Sequence, residues 1–343
     1  MYRINNYLTA LLTVLFFIIG LALSQKVNAQ ESEPLTDSMR ELLKSDPFNV
    51  GILLQSEATF TLQDDNFLGG NEFGLGATRL VFKGNVDQGY SYEMEFELRN
   101  SPTVIDAIIG YRSSDAFGIK AGMQKPDIGL DLKPGPGNTD FISRARLIGT
   151  ILNTREVGVS ASGQFEQFDY MVAVFNGTGR SLSNDDNFMY AAKGAFTVEQ
   201  NNGGRFYIGA NAAINGTEGE NIAGITTEGD RLIYGAFVDY ESDTWFGAAE
   251  LLMTSFESNQ IANEETITGA YVTLGNNITE KDQLLGRWDY VGFDQRIGFD
   301  SNLFILGWNH QATSVISFQV NALAQFDENE EYFGLAGNFQ YQF

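Results

Sequence analysis

The chain has 343 residues, with 44 Asp and Glu against 21 Lys and Arg, a formal charge of −23 and no cysteine. That balance excludes a generally basic nucleic-acid binder. The missing thiols exclude disulfides and thiolate metal sites, and 43% hydrophobic residues are too many for a disordered chain.

Arg3 precedes an uncharged run from Leu8 to Leu23 and then "SQKVNAQ", in which Val27-Asn28-Ala29 suits a signal-peptidase site. Residues 1–29 therefore read as a cleaved secretory signal, because the apolar run is shorter than the roughly 20 residues a spanning helix needs. Residues 30–47 are acidic and read as a short periplasmic segment with room for one helix. Residues 48–343 read as the folded domain.

From there on, period-two alternation dominates, and 37 Gly, 27 Phe and 14 Tyr beside 6 Pro favour strands and tight turns. The pattern predicts sixteen strands, near residues 51–62, 73–87, 90–99, 103–112, 116–124, 154–163, 168–175, 187–198, 205–214, 230–240, 244–254, 266–275, 282–292, 301–309, 315–325 and 331–342. Most are about 9 to 12 residues long, the length a tilted strand needs to cross a bilayer. In "YSYEMEFELR", Tyr90, Tyr92, Met94, Phe96 and Leu98 share one face, and Glu93, Glu95 and Glu97 form an acidic row on the other. In "AFGIKAGMQ", Lys120 falls opposite Phe117, Ile119 and Met123.

The connections alternate in length. "DQG", "SSD", "QFEQ", "QNNGG", "SDT", "NNITEK" and "QATS" are short, whereas "QDDNFLGGNE", residues 125–153, "NGTGRSLSNDD", "NGTEGENIAGITTEG" and "SFESNQIANEE" are long. Only "NSP" breaks the rule on the long side. Short periplasmic turns and long extracellular loops are the habit of an outer-membrane barrel. The closing "EYFGLAGNFQYQF" alternates to the last residue, so Phe339, Tyr341 and Phe343 face hydrocarbon and the interfacial girdle of a closing strand. The fold class expected is thus all-β: a transmembrane antiparallel barrel of about 16 strands in the bacterial outer membrane. A barrel of that size leaves a water-filled channel, so the expected function is passive diffusion of small hydrophilic solutes and ions.

Residues 125–153 form the longest connection and are expected to fold into the barrel as a constriction. Between Arg99 and Arg155 the chain carries eight basic side chains against five acidic ones. Parity puts Arg112 and Lys120 on the lumen face, and the long loop adds Lys125, Lys133, Arg144 and Arg146. Such a ring attracts anions and replaces part of their hydration, with Arg offering a fork suited to phosphate. The row Glu93, Glu95, Glu97 opposes it by favouring cations locally. The acidic clusters of the external loops read as a solvated surface or as sites for divalent ions that bridge to lipopolysaccharide.

Three blocks, "AGMQKPDIGLD", "FISRARLIGTILNTREVGVSASG" and "YMVAVFNGTGRSLSNDDN", resemble the phosphate-selective porin O and P family over roughly residues 117 to 190. The resemblance implies a sixteen-stranded barrel, a homotrimer, and lumen Lys and Arg residues that guide anions such as phosphate. By motif position, Lys125 before Pro126, Arg144 after Phe141-Ile142, and Asn176-Gly177 match the family pattern. "GMQKP" is one residue shorter than the family form, and the acidic row departs from it, so the pore is carried over and the substrate is not. The terminal Phe also resembles the signature read by the barrel-assembly machinery.

Two other classes compete. A barrel-embedded hydrolase needs a nucleophile with a base, but the only histidine, His310, falls in the predicted turn "NHQATS" with Ser314 four residues on. No cofactor or metal site is expected. A secreted β-rich glycan-binding module would explain the alternation and the signal, but not the one-sided loop lengths or the terminal Phe. "NGT" at Asn176 and Asn215 and "NIT" at Asn277 read as turns.

Overall fold

The computed structural model describes residues 43–62, 67–201, 203–216, 219–261, 264–295, 300–328 and 330–343. The expected signal segment and residues 30–42 of the expected periplasmic segment lie outside them. Sixteen strands close into one antiparallel barrel: β1 (Asn49–Thr61), β2 (Glu72–Asn85), β3 (Tyr90–Glu97), β4 (Thr103–Ser114), β5 (Phe117–Gln124), β6 (Glu156–Phe165), β7 (Phe168–Phe175), β8 (Met189–Glu199), β9 (Arg205–Gly216), β12 (Glu228–Glu241), β13 (Trp245–Glu257), β14 (Glu265–Asn277), β15 (Asp282–Phe293), β16 (Ser301–Gln311), β17 (Ile316–Phe326) and β18 (Glu331–Gln342). Each overlaps one predicted strand. A small hairpin of β10 (Asn221–Ile222) and β11 (Ile225–Thr226) sits in the connection between β9 and β12 and was not predicted.

Closure follows from the last alternating run. β18 pairs with β1 from Leu53 opposite Gln342 to Thr61 opposite Gly334. The terminal residue is pinned as well: the Phe343 N–H donates to the Ile52 carbonyl at 2.9 Å, and the Ile52 N–H returns a bond of 3.1 Å. A closed ladder satisfies every strand within the protein, which a bilayer demands.

The outward parity is apolar and exposed, as at Leu251, Val272, Leu284, Phe304 and Phe339. Aromatic pairs gather at both rims. Tyr90 with Tyr111, Phe168 with Phe196 and Phe206 with Tyr240 lie beside the short turns, and Phe304 with Phe326 and Phe60 with Phe73 lie near the long loops. These are the two interfacial girdles of a membrane barrel. The connection "NSP" is short as expected, and the loop 327–330 joins it as a second short one on the long-loop side.

Two turn expectations are corrected. His310 lies within β16, where Trp308 stacks on it at 5.6 Å and its Nδ1 sits 2.8 Å from Asp282 Oδ1, so it belongs to the aromatic rim and not to a turn. Asn215 is a buried residue of β9. Its amide donates to the carbonyl of Gly177, whose φ of +80° places the true turn at Asn176-Gly177.

Candidate functional site

Residues 125–155 leave β5 and cross the inside of the barrel before returning as β6. The path contains 3-10 turns at Leu130–Leu132 and Pro136–Asn138 and one short helix, α1 (Arg146–Ile151). Hydrophobic burial seats it. Ile128, Leu132, Leu147, Ile148 and Ile151 have 1% exposure or less and pack with Leu252, Phe256, Ile267 and Tyr271 from the inward faces of β13 and β14. Space for α1 exists because β14 carries Gly269 there: a Cβ at that position would lie 2.4 Å from the Cβ of Leu147. Phe141 fills a second patch with Leu285, Leu303, Ile305 and Leu323, over which Phe67 and Leu68 of the first long loop also pack.

Polar side chains of the wall then fix the loop backbone. Gln55, Gln340, Gln319 and Asn309 donate from their amides to the carbonyls of Pro136, Gly137, Thr139 and Asp140, at 2.9 to 3.1 Å. Glu250 accepts the Leu130 N–H at 2.8 Å. Arg287 pairs with Asp131 at 3.2 Å while its guanidinium lies between the rings of Phe141 and Tyr271, 4.5 and 4.8 Å from their centroids. A buried charge is tolerated only when so compensated.

These contacts fill much of the lumen under β7–β15 and leave an eccentric space of about 750 Å³ against β1–β6, reaching Lys44 and Phe343 at the end where the chain terminates, besides one of about 770 Å³ at the short-turn end beside Asn309, Gln319 and Gln340. Across the loop segment from Lys133 to Asp140 lies a further space of about 390 Å³, bordered by Asp140, Asp169, Asp239 and Tyr207.

The six predicted pore cations have different fates. Lys120 and Lys133 border the β1–β6 space, but the Lys133 ammonium sits 5.3 Å over the ring of Tyr207, which borders the space across the loop segment. Lys125 also borders the β1–β6 space, but its ammonium donates to the carbonyls of Leu132, Lys133 and Pro134 at 2.8 to 3.0 Å. Arg144 donates to the carbonyls of Asp131 and Pro134. Arg146 pairs with Asp289 at 3.0 Å and bonds Ser301, so it staples the loop to β15 and β16. Arg112 stands exposed at the short-turn end of β4. Two of the six thus hold the loop and a third does so in part.

The acidic row is largely neutralised. Arg79 on β2 pairs with Glu95 at 2.7 Å and with Glu97 at 3.3 Å, and Arg155 pairs with Asp106 at 2.7 Å. Only Glu93 of the row makes no ion pair among the described residues. Sequence reasoning missed Lys83, which borders the same space, and Arg79. Parity in "TRLVFKGN" could have found both, since they alternate with Leu80 and Phe82.

Burial, reinforced by the guanidiniums of Arg144 and Arg155, pulls Lys125 down to about 8. Burial pushes Asp140, across the loop segment, up to about 6. An ammonium that loses its proton above its pKa removes positive charge, and a carboxyl that gains one below its pKa removes negative charge. The ratio of anion to cation permeability should therefore fall as pH rises through about 8 and rise as pH drops through about 6. Zero-current potentials across that range check this.

The family model for phosphate-selective porin O and P matches residues 48–322. The chain belongs to that family. It is an outer-membrane porin, and the sixteen-stranded barrel with girdled rims is the architecture of one. No curated protein matches the sequence. Among solved structures the porin is similar to the trimer form of OmpT from Vibrio cholerae, with 13% identity, a TM-score of 0.67, and coverage of 86% of this chain and 99% of that one. It is similar to the anion-selective porin from Comamonas acidovorans, at 12% identity and a TM-score of 0.66 over 86% and 99% of the two chains. The outer membrane channel DcaP of Acinetobacter baumannii gives 12% identity and a TM-score of 0.62 over 86% and 97%. At these identities the likeness is one of fold.

Proposed function

We propose that this porin conducts small anions along the β1–β6 wall, as a passive channel without catalysis or cofactor. One observation carries the reading. Arg79 and Arg155 are engaged by Glu95, Glu97 and Asp106, one carboxylate more than the guanidiniums, whereas Lys83, Lys120 and Lys125 border the space without an ion pair among the described residues and Glu93 is the one unpaired carboxylate of the row, so that five cations meet four anions along this wall. Uncompensated cations in a narrow aqueous path raise the local anion concentration and lend donors for lost hydration.

Lys83→Glu combined with Lys120→Glu tests it in planar bilayers under a dilute KCl gradient, where screening is weak. The wild type should show a reversal potential of anion preference, and the double variant should invert its sign. Cation preference in the wild type, or an unchanged sign in the variant, would refute the reading.

The remaining expectations are part of the same proposal. Residues 1–29 are a signal segment, 30–47 a periplasmic segment, and residues 125–153 the constriction of the barrel domain 48–343. Phe339, Tyr341 and Phe343 form the signal for the assembly machinery, and the outer surface meets lipid and lipopolysaccharide. The chain forms a homotrimer like the trimer form of OmpT. Mobility of unheated, detergent-solubilised protein on gels tests the trimer.

A further inference from the structure

The acidic row leaves one group unexplained. Glu93 on β3 and Lys83 on β2 are direct partners in the strand register, so their Cβ atoms lie about 5 Å apart on the inner wall. Both border the β1–β6 space. Yet they form no ion pair with each other, and neither side chain has an ion pair or hydrogen bond among the described residues. The neighbouring levels behave differently. Two residues toward the long-loop end, Glu95 is held by Arg79 and Asp106 by Arg155. Lys120, on β5, borders the same space on the other side of Glu93 and is likewise unpaired among the described residues.

We infer that Lys83 and Glu93 form a subsite for small zwitterions, in which an α-amino acid places its carboxylate at Lys83 and its ammonium at Glu93. The inference rests on the reading of the β1–β6 wall as the conducting path and names a solute class for it. Two opposite charges side by side suit a solute whose own charges are separated by a few bonds. A simple anion cannot use both, and a neutral solute can do so only through weaker hydrogen bonds. Charge-assisted hydrogen bonds from an ammonium or to a carboxylate are about twice as strong as neutral ones. The pair would replace hydration at both ends of the solute during passage.

Glycine and its neutral isomer glycolamide separate the idea from size exclusion, because they have the same atoms and different charge. Reconstituted in liposomes, the full-length mature porin should admit glycine several-fold faster than glycolamide. Glu93→Gln and Lys83→Gln should each bring the ratio close to unity, with gel mobility before and after heating confirming a folded barrel. In bilayers Glu93→Gln should raise chloride over potassium permeability and Lys83→Gln should lower it. A wild-type ratio near unity, or a glycine preference that survives Glu93→Gln in a folded barrel, would overturn the subsite. Loss of chloride preference in Lys120→Gln with the glycine ratio intact would support the subsite independently, and absence of chloride preference in the wild type would sink only the anion reading.

Discussion

Replacing Arg287 by Ala should release the inner loop and raise single-channel conductance. The guanidinium lies between Phe141 and Tyr271 and pairs with Asp131, whose carboxylate also accepts the Ala145 N–H at 2.6 Å. Arg287 has 3% exposure, so its loss leaves Asp131 buried without its countercharge. Breaking a buried pair in this way costs about 3–5 kcal/mol. The cost falls on anchorage of the loop, since the strand ladder of the barrel is untouched. The expected readouts are a larger and noisier conductance, faster proteolysis near Lys133, and a lower temperature for the heat-induced gel shift. Asp131→Asn in the same chain removes the stranded charge and should recover part of the loss. Unchanged conductance and protease resistance in Arg287→Ala would show that the pair does not anchor the loop.

Gly269→Val should dislodge α1. The new Cβ would meet the Leu147 Cβ at 2.4 Å, with the Leu147 Cα at 3.2 Å and Ile151 Cδ1 at 3.3 Å, so the added methyl groups have nowhere to go. Overpacking of this kind costs about 1–3 kcal/mol. Here the helix can yield while the strand cannot, so the displacement should appear as altered conductance before any loss of the barrel. Leu147→Ala opens space at the same point. The double variant should recover more than the two single effects would predict if they were independent. Additive behaviour of the two substitutions would mean that α1 does not rest on β14.

The strands were legible because lipid imposes one simple rule on the outer face, and sixteen alternating runs obey it. The same rule explains why the last residue is pinned at the Ile52 backbone. Seating of the loop was less visible, although β16 held a clue. Leu303, Phe304, Ile305 and Leu306 are apolar on both faces, and an inward Leu303 or Ile305 makes sense only if something apolar covers it. Phe141 does so. The fates of the cations could not be read locally. Arg144 and Arg146 look like filter residues from spacing alone, but backbone carbonyls and an aspartate more than a hundred positions away decide their direction. The acidic row looked like a cation filter until the pairing of β2 with β3 set Arg79 opposite Glu97.

An engineered disulfide between Arg146→Cys and Asp289→Cys tests the inner loop most directly. The backbone nitrogen of Arg146 lies 2.8 Å from the Asp289 carboxylate, so the two positions are adjacent across the start of α1 and β15. The chain has no cysteine of its own, so any bridge is unambiguous. The folded barrel should oxidise readily, the heated polypeptide should then migrate faster without reductant than with it, and closing the bridge should return conductance to the wild-type value, since the reduced form lacks the Arg146–Asp289 pair that staples the loop. A folded barrel that fails to form the bridge, or one whose conductance departs from the wild-type value once the bridge is closed, would contradict a pore narrowed by this loop.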